Sequence, residues 1–332
     1  MQKIFVAKQG GIGDVLLATP VLAEIKKRLP DCHITLMIFD NARDLVEGLP
    51  FIDEVFCYNK KRDGFLKLWR KLWGTDTAIF LDLTYRPAMA AALAGVKKRV
   101  GITHKRGFWL TKKIPWQERM DHIYEPYVLA EIAEKALGFS IPKENLEKPF
   151  IVAATQQEKR DLQAKLEENG YQKGANYVAS SPVTAFFLKN WPLDRWNELY
   201  RQIYARYGLK TVIFGGGELD FTWDNEAVIN LWGRLTLRQV GELIKGAQLL
   251  VNSCSMPAHI AAATATPCVI LYGYGDPERW APRQNCRRVV TPLTCSPCDG
   301  YRGSRCTDPQ CMKQMRVAEM FAAVQAMLGD AS

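Results

Sequence analysis

No apolar run in this 332-residue chain approaches the roughly 20 residues that a membrane-crossing helix needs, so no span is expected. The N-terminus enters a strand directly and lacks a signal-peptide pattern, which leads to the expectation of a cytoplasmic protein. The nine cysteines, an odd number, do not suit a secreted disulfide framework. Internal repeats and low-complexity tracts are lacking. So are zinc-finger, aromatic RNA-platform and recognition-helix signatures, so nucleic acid is not an expected partner. The glycine turn near the start lacks the third glycine of the dinucleotide fingerprint, and a nicotinamide cofactor is therefore not indicated.

What is present reads as an ordinary globular composition, 48% hydrophobic and 24% charged. The length exceeds what one hydrophobic core usually supports, and two domains are expected, residues 1–150 and 151–332. The net charge of +9 is unevenly placed. Lys60, Lys61, Arg62, Lys67, Arg70 and Lys71 stand against Asp63, and two further basic stretches cover 97–119 and 279–316. Together they suggest a phosphate-rich or acidic-surface partner. The segment Asp63–Trp73 has the composition of an interfacial membrane helix; a helix that covers the sheet would look much the same and is the favoured reading.

Strand and helix patterns alternate along the first half, with strands at 3–7, 33–39, 53–57, 78–83 and 98–102 and helices at 15–29, 41–48, 63–73, 87–95 and 121–138. A linker at 139–149 and a connecting helix near 156–169 follow. The alternation restarts with strands at 177–181, 210–214, 227–231, 248–252 and 268–272 and helices at 193–207, 236–245 and 257–265. This pattern predicts an α/β protein of two Rossmann-like domains facing a cleft. Beyond 273 a Pro/Cys/Arg-rich stretch intervenes before a last helix, 317–328.

The chain is organised around the strand Ile4-Phe5-Val6-Ala7 and the turn Gly10-Gly11-Ile12-Gly13-Asp14. Glycines let backbone approach a ligand and permit positive φ. Asp14 falls in the first helical turn, at the carboxyl end of a strand, where open α/β sheets bind ligands; a simple helix cap explains it equally well. In the second half, Ser181 ends a strand and Lys189 lies in the following loop. Gly215-Gly216-Gly217-Glu218 offers a second close turn, and Glu218 suits a ribose. Asn252-Ser253-Cys254-Ser255-Met256-Pro257 opens a small-residue helix whose free amides suit an anion. His259 lies in its first turn and could face a ligand phosphate, although a lone histidine is more often structural.

These residues resemble glycosyltransferase family nine, whose best-known members are the lipopolysaccharide ADP-heptose heptosyltransferases. The resemblance rests on the run from Gly10 to Pro20, on Phe80-Leu81-Asp82-Leu83 through Arg99-Val100-Gly101, and on Lys189-x-Trp191-Pro192-x-x-x-Trp196. It rests also on Pro257-x-His259-x-Ala261-Ala262-Ala263 through Leu271-Tyr272-Gly273. It implies the glycosyltransferase B architecture, with an N-terminal acceptor domain, a C-terminal nucleotide-sugar domain and a final helix crossing back to the N-terminal domain.

The resemblance further implies an inverting, metal-independent glycosyltransferase that moves heptose from ADP-heptose to a lipopolysaccharide core or similar phosphorylated glycolipid. The partners would be an ADP-sugar donor and an anionic glycolipid acceptor, with peripheral contact at the cytoplasmic face of the inner membrane. Asp14 would be the general base and Lys189 would assist the departing diphosphate. Nucleotide-sugar binding would fall to Gly11, Gly13, Ser181, Glu218, Cys254, Ser255, Met256 and His259.

Where the family reads Asp-Ser/Thr-Gly at the nucleotide helix, this chain has Cys254, Ser255 and Met256. The set Cys295, Cys298, Cys306 and Cys311 is a candidate for structural zinc or iron, reduced metal-free thiols being the other reading; no cofactor is expected for catalysis. A protein (autotransporter-type) heptosyltransferase and a non-catalytic nucleotide-sugar binding protein are the competing functions.

Overall fold

The computed structural model describes residues 1–104, 106–224, 226–296, 298 and 306–329. Lys105 of the second basic stretch, and Asp299, Arg302 and Arg305 of the third, lie outside the described residues. The chain divides into two compact units, Met1–Val152 and Ala153–Ser332.

The first unit runs in chain order as β1 (Lys3–Ala7), α1 (Ile12–Arg28), β2 (His33–Ile38), α2 (Arg43–Val46), β3 (Glu54–Cys57), α3 (Phe65–Leu72), β4 (Thr77–Phe80), α4 (Tyr85–Leu93), β5 (Lys98–Ile102), β6 (Lys112–Ile114) and α5 (Glu125–Leu137). Its strands form one parallel sheet in the order β3-β2-β1-β4-β5-β6. The central strand β1 is buried from Ile4 to Ala7, as a parallel strand covered on both faces must be. On one face Phe5, Ala7, Ala78 and Phe80 meet Leu68 and Leu72 of α3 and Ala88 and Ala91 of α4. α1 and α5 pack against each other.

Pro20 sits inside α1 and removes the amide that would bond the Leu16 carbonyl. The Thr19 hydroxyl donates to that carbonyl instead, at 2.6 Å. Thr19 Oγ1 in turn accepts the Phe150 amide at 2.8 Å, tying down the end of the unit. The expected helix 121–138 is shorter: a 3-10 turn, Glu118–His122, precedes α5, whose start Pro126 fixes within the first turn.

The second unit continues as α6 (Gln156–Glu168), β7 (Tyr177–Ser180), α7 (Leu193–Tyr207), β8 (Lys210–Ile213), β9 (Val228–Asn230), α8 (Leu237–Gly246), β10 (Leu249–Ser253), α9 (Met256–Thr264), β11 (Cys268–Tyr272), α10 (Pro277–Trp280), β12 (Cys286–Val290), α11 (Gln310–Gln314) and α12 (Val317–Leu328). Its parallel sheet runs β12-β11-β10-β7-β8-β9. Val178, Leu249, Val251, Val269 and Leu271 share one core with Trp191, Trp196 and Tyr200 and with Met312, Met320 and Val324.

The last helix, α12, packs on α7 and on β10, β11 and β12 of the second unit. Val324, Met320 and Ala323 are buried in the core of that unit, and this apolar stripe holds the helix there.

Candidate functional site

Both sheets share one topology. The first strand of each unit, β1 or β7, lies between strands that continue in opposite directions, so each sheet has a switch point, β1/β4 and β7/β10. The crevice beyond the carboxyl ends of such a pair is where open α/β sheets bind ligands. Residues that the sequence singles out stand at both places.

At the first switch point β1 ends at Ala7, and the chain crosses it as Lys8-Gln9-Gly10-Gly11. Asp14 occupies the first turn of α1, and its carboxylate accepts the Gly11 amide at 2.9 Å. Gly10 and Gly11 do not have positive φ. Gly10 is needed for space: a Cβ there would stand 2.8 Å from the Asp14 Cβ. The Asp14 side chain remains one-third exposed, and its Oδ1 lies 3.9 Å from the Lys8 ammonium. Lys8 is buried and donates to Glu125 Oε1 at 2.8 Å and to the Leu81 carbonyl at 3.4 Å. Burial pulls the Lys8 pKa down. The combined pull of Glu125, Asp14 and Asp82 outweighs it and raises the pKa above the usual 10.5. Lys8 is therefore a fixed cation beneath the Asp14 carboxylate.

Asp82, at the end of β4, closes the same crevice. It accepts the Gln9 amide at 2.6 Å and the Thr84 amide at 2.8 Å, and the Arg106 guanidinium lies 3.8 Å away. Arg106 is fully buried and donates to the carbonyls of Ile102 and Thr84, both at 2.9 Å. Burial lowers its pKa to about 10, with Asp82 opposing the shift. Asp82 and Arg106 thus tie the turns after β1, β4 and β5 into one frame.

At the second switch point the Ser181 amide donates to Asn252 Oδ1 at 2.7 Å. Asn252 Nδ2 donates to the Ser253 carbonyl at 2.7 Å and to Ser255 Oγ at 2.9 Å. Asn252 therefore brings together Ser181 and Ser255, two residues expected at the nucleotide. Ser255 is the N-cap of α9 but makes no side-chain capping bond, so the first-turn amides keep their anion-binding character. Cys254 is buried, its amide bonded to the Leu271 carbonyl at 3.0 Å, and Met256 is half-buried at the first helical position. His259 is buried in α9, 5% exposed.

Lys189 ends a 3-10 turn and is half-buried, with its ammonium 5.5 Å from the centre of the Tyr274 ring. The tryptophans of its motif are core residues. Trp191 and Trp196 pack edge to face at 4.9 Å, and Trp191 Nε1 donates to the Met315 carbonyl at 3.1 Å. They anchor the loop that presents Lys189. Glu218 is exposed in a loop held by a bond from Trp232 Nε1 to the Gly217 carbonyl at 2.8 Å. Gly215 makes room for that tryptophan, since a Cβ there would lie 2.1 Å from its ring.

The four cysteines at 295, 298, 306 and 311 are the candidates for a structural metal or for reduced, metal-free thiols. Among the described residues no three His, Cys, Asp or Glu side chains gather to hold an ion. Cys298 and Cys311 are buried and Cys295 is exposed. The Cys298 thiol donates to the Cys295 carbonyl at 3.1 Å, and burial pushes the Cys311 thiol pKa up.

The structural partners of these candidates to which the sequence assigns no role are Lys8, Asp82, Glu125, Arg106 and Asn252. The first two and Asn252 are polar residues at the ends of buried strands, a signal that the switch-point rule could have used. Glu125 reaches Lys8 across 117 positions, and no local pattern announces it.

Residues 65–305 match the family model for glycosyltransferase family 9 (heptosyltransferase). Lipopolysaccharide heptosyltransferase 3 of Escherichia coli is 26% identical over 82% of this chain and 84% of its own. Lipopolysaccharide core heptosyltransferase OpsX of Haemophilus influenzae is 24% identical over 87% and 84%. A family 9 glycosyl transferase structure from Veillonella parvula shares the fold with a TM-score of 0.84 at 21% identity, covering 98% of this chain and 97% of that one. Escherichia coli ADP-heptose lipopolysaccharide heptosyltransferase II follows at 0.74 and 19%, covering 99% and 98%. The two parallel six-stranded sheets are thus those of the glycosyltransferase B architecture. The matched span covers most of the chain, and the protein belongs to glycosyltransferase family 9, the heptosyltransferase family.

Proposed function

We propose that this protein is an inverting heptosyltransferase that moves heptose from ADP-heptose to a hydroxyl of a lipopolysaccharide core or similar phosphorylated glycolipid. The observation that carries the reading is the Asp14 carboxylate, one-third exposed at a sheet switch point above the buried Lys8 cation. Several relatives are named as lipopolysaccharide heptosyltransferases, which supports the sugar and the acceptor class.

In this reading the first unit binds the acceptor and the second the ADP-sugar. Asp14 accepts the proton of the acceptor hydroxyl as its oxygen bonds to the anomeric carbon. The bond from that carbon to the diphosphate oxygen breaks on the opposite face, configuration inverts and ADP departs. Lys189 and the first-turn amides of α9 offset the charge that grows on the leaving diphosphate. The protein thereby supplies the positive charge itself, and the reaction requires no catalytic metal. Gly11 and Gly13, beside the base, hold the nucleotide-sugar together with Ser181, Ser255, Glu218 and His259. Cys254 and Met256 shape the helix start from within.

Calorimetric titration with ADP, and with UDP and GDP as controls, tests the donor. Selective ADP binding is expected; equal binding of all three, or of none, contradicts it. Lys189→Ala is expected to lower kcat about 100-fold, the scale for losing one stabilising group at a developing negative charge. Single-turnover ADP release measures this, and an unchanged rate removes Lys189 from the step. Gly10→Ala is expected to displace Asp14, because its Cβ would meet the Asp14 Cβ. A misplacement on that scale costs transfer about 100-fold while ADP affinity holds. Unaltered kcat in this variant would show that Asp14 does not need its present position.

A further inference from the structure

Cys268 opens β11 and Cys286 opens β12, and the two stand opposite each other in the parallel register. Neighbouring strands lie about 4.8 Å apart, inside the roughly 4.4–6.8 Å between Cα atoms that a disulfide spans. The Cys268 thiol donates a hydrogen bond to the Cys286 sulfur, so the two sulfurs are in contact. Both are free thiols. The backbone holds them there. The Cys268 amide donates to the carbonyl of Asn285, the residue before Cys286, at 2.8 Å. Asn285 has a φ of 52°, a left-handed conformation that asparagine tolerates better than most residues. Its side-chain amide donates to the Ala265 carbonyl at 3.5 Å, which links the turns that lead into β11 and β12.

The two sulfurs differ in environment. Cys268 is 1% exposed, whereas Cys286 is half-buried on an edge strand. The hydrogen bond from Cys268 lowers the Cys286 pKa below the usual 9.0, against burial and with help from Arg288, which is itself paired with Glu278. The same bond, together with burial, keeps the Cys268 proton in place. Cys32, Cys57 and Cys311 are pushed the opposite way from Cys286 by burial. A reachable sulfur that favours its thiolate therefore touches a buried one that keeps its proton. That is the arrangement of an attacking thiol beside a resolving thiol.

We propose that Cys286 and Cys268 are a reversible modification site, a dithiol that hydrogen peroxide closes to a disulfide. The Cys286 thiolate, its proton lost to solvent, attacks one peroxide oxygen. A sulfur–oxygen bond forms, the oxygen–oxygen bond breaks, and the departing hydroxide takes up a proton to become water. Cys286 is then a sulfenic acid, oxidised by two electrons while the peroxide is reduced. The Cys268 sulfur attacks the Cys286 sulfur, the sulfur–oxygen bond breaks, and the second hydroxide leaves as water with the Cys268 proton. The net change is two thiols and one peroxide to one disulfide and two waters. The bridge ties the edge strand β12 to β11, whose Leu271 carbonyl holds the Cys254 amide at the start of α9. The inference concerns only the second unit and stands whether or not the chain transfers heptose.

The test is peptide mass spectrometry of the full, reduced chain after brief exposure to hydrogen peroxide. Catalase removes the peroxide, and the remaining thiols are alkylated in denaturant before tryptic digestion. The expected result is a bridge between fragments 246–279 and 284–287, with the alkyl labels on Cys268 and Cys286 lost and both restored by dithiothreitol. The first fragment also holds Cys254, so Cys268→Ala decides the partner. That variant should lose the bridge and keep a sulfenic acid at Cys286 that dimedone traps. A buried cysteine packs as a small hydrophobe, so alanine should preserve the circular dichroism of the parent. Cys286→Ser, at a half-buried position, should leave Cys268 fully alkylated after the same exposure. Full alkylation of both thiols in the parent after peroxide overturns the inference. So does a bridge that persists in Cys268→Ala, which would run to Cys254 instead. Cys286 oxidised to the sulfinic acid in the parent with no bridge formed would also overturn it, because Cys268 then resolves nothing.

Discussion

Asp14→Ala is expected to lower heptose transfer by about 100- to 10,000-fold, the range that a positioned general base contributes. ADP affinity should be unchanged, because Asp14 belongs to the first unit and the nucleotide is assigned to the second. The variant tests more than the residue type. Asp14 also caps α1 by accepting the Gly11 amide, so some loss could come from a loosened helix start. Asp14→Asn separates the two roles. An asparagine keeps an oxygen for the amide and caps well, but it takes no proton from the acceptor. Stopped-flow ADP release with saturating ADP-heptose and acceptor reads the chemical step. If Asp14→Asn turns over like the parent, the carboxylate is a cap and the base lies elsewhere.

The second large effect is on stability. Glu125→Ala should cost about 3–5 kcal/mol, because it strands the buried Lys8 ammonium without its 2.8 Å partner. Glu144→Ala, on an exposed side chain of the same unit, should stay within about 0.5 kcal/mol. Urea unfolding of the two variants against the parent measures the difference, and equal midpoints would show that the pair contributes nothing. The linked pH dependence has a definite sign. Lys8 has its pKa raised above 10.5 on folding. Its contribution is therefore complete below the unfolded value and is lost as pH rises through the higher folded one. The Lys8 contribution should be flat through neutral pH and fall in alkaline solution above about 10.5. In Glu125→Ala that alkaline fall should be smaller.

The central strands were legible because parallel strands buried on both faces read as unbroken apolar runs, as in Ile4–Ala7 and Leu249–Val251. Two of the four edge strands, β6 and β12, were not. β6 is Lys-Lys-Ile with both lysines exposed, and β12 is Cys-Arg-Arg-Val-Val and only partly buried. An edge strand has one neighbour and carries charge that discourages further pairing, so it reads as a basic cluster. Two of the basic stretches that pointed to an anionic partner therefore contain sheet edges.

The site divides in the same way. The local pattern of strand, glycine turn and acid on a helix is enough to place Asp14 at the end of β1. What surrounds it depends on contacts between distant segments. Lys8 finds Glu125, and Gln9 finds Asp82 across 73 positions. The glycines mislead when read only as conformational freedom, because Gly10 makes room for Asp14 and Gly215 for Trp232. Trp191 and Trp196 lie in the lysine motif yet belong to the core, so much of the motif is an anchor for its loop.

The most direct test of the account is mass spectrometry of a heptose-deficient lipopolysaccharide core incubated with ADP-heptose and the purified protein. The predicted result is an acceptor heavier by one heptosyl residue with one ADP released per transfer, and no product from the Asp14→Asn variant. ADP-heptose that is bound but never consumed, or consumed with the acceptor mass unchanged, would contradict it.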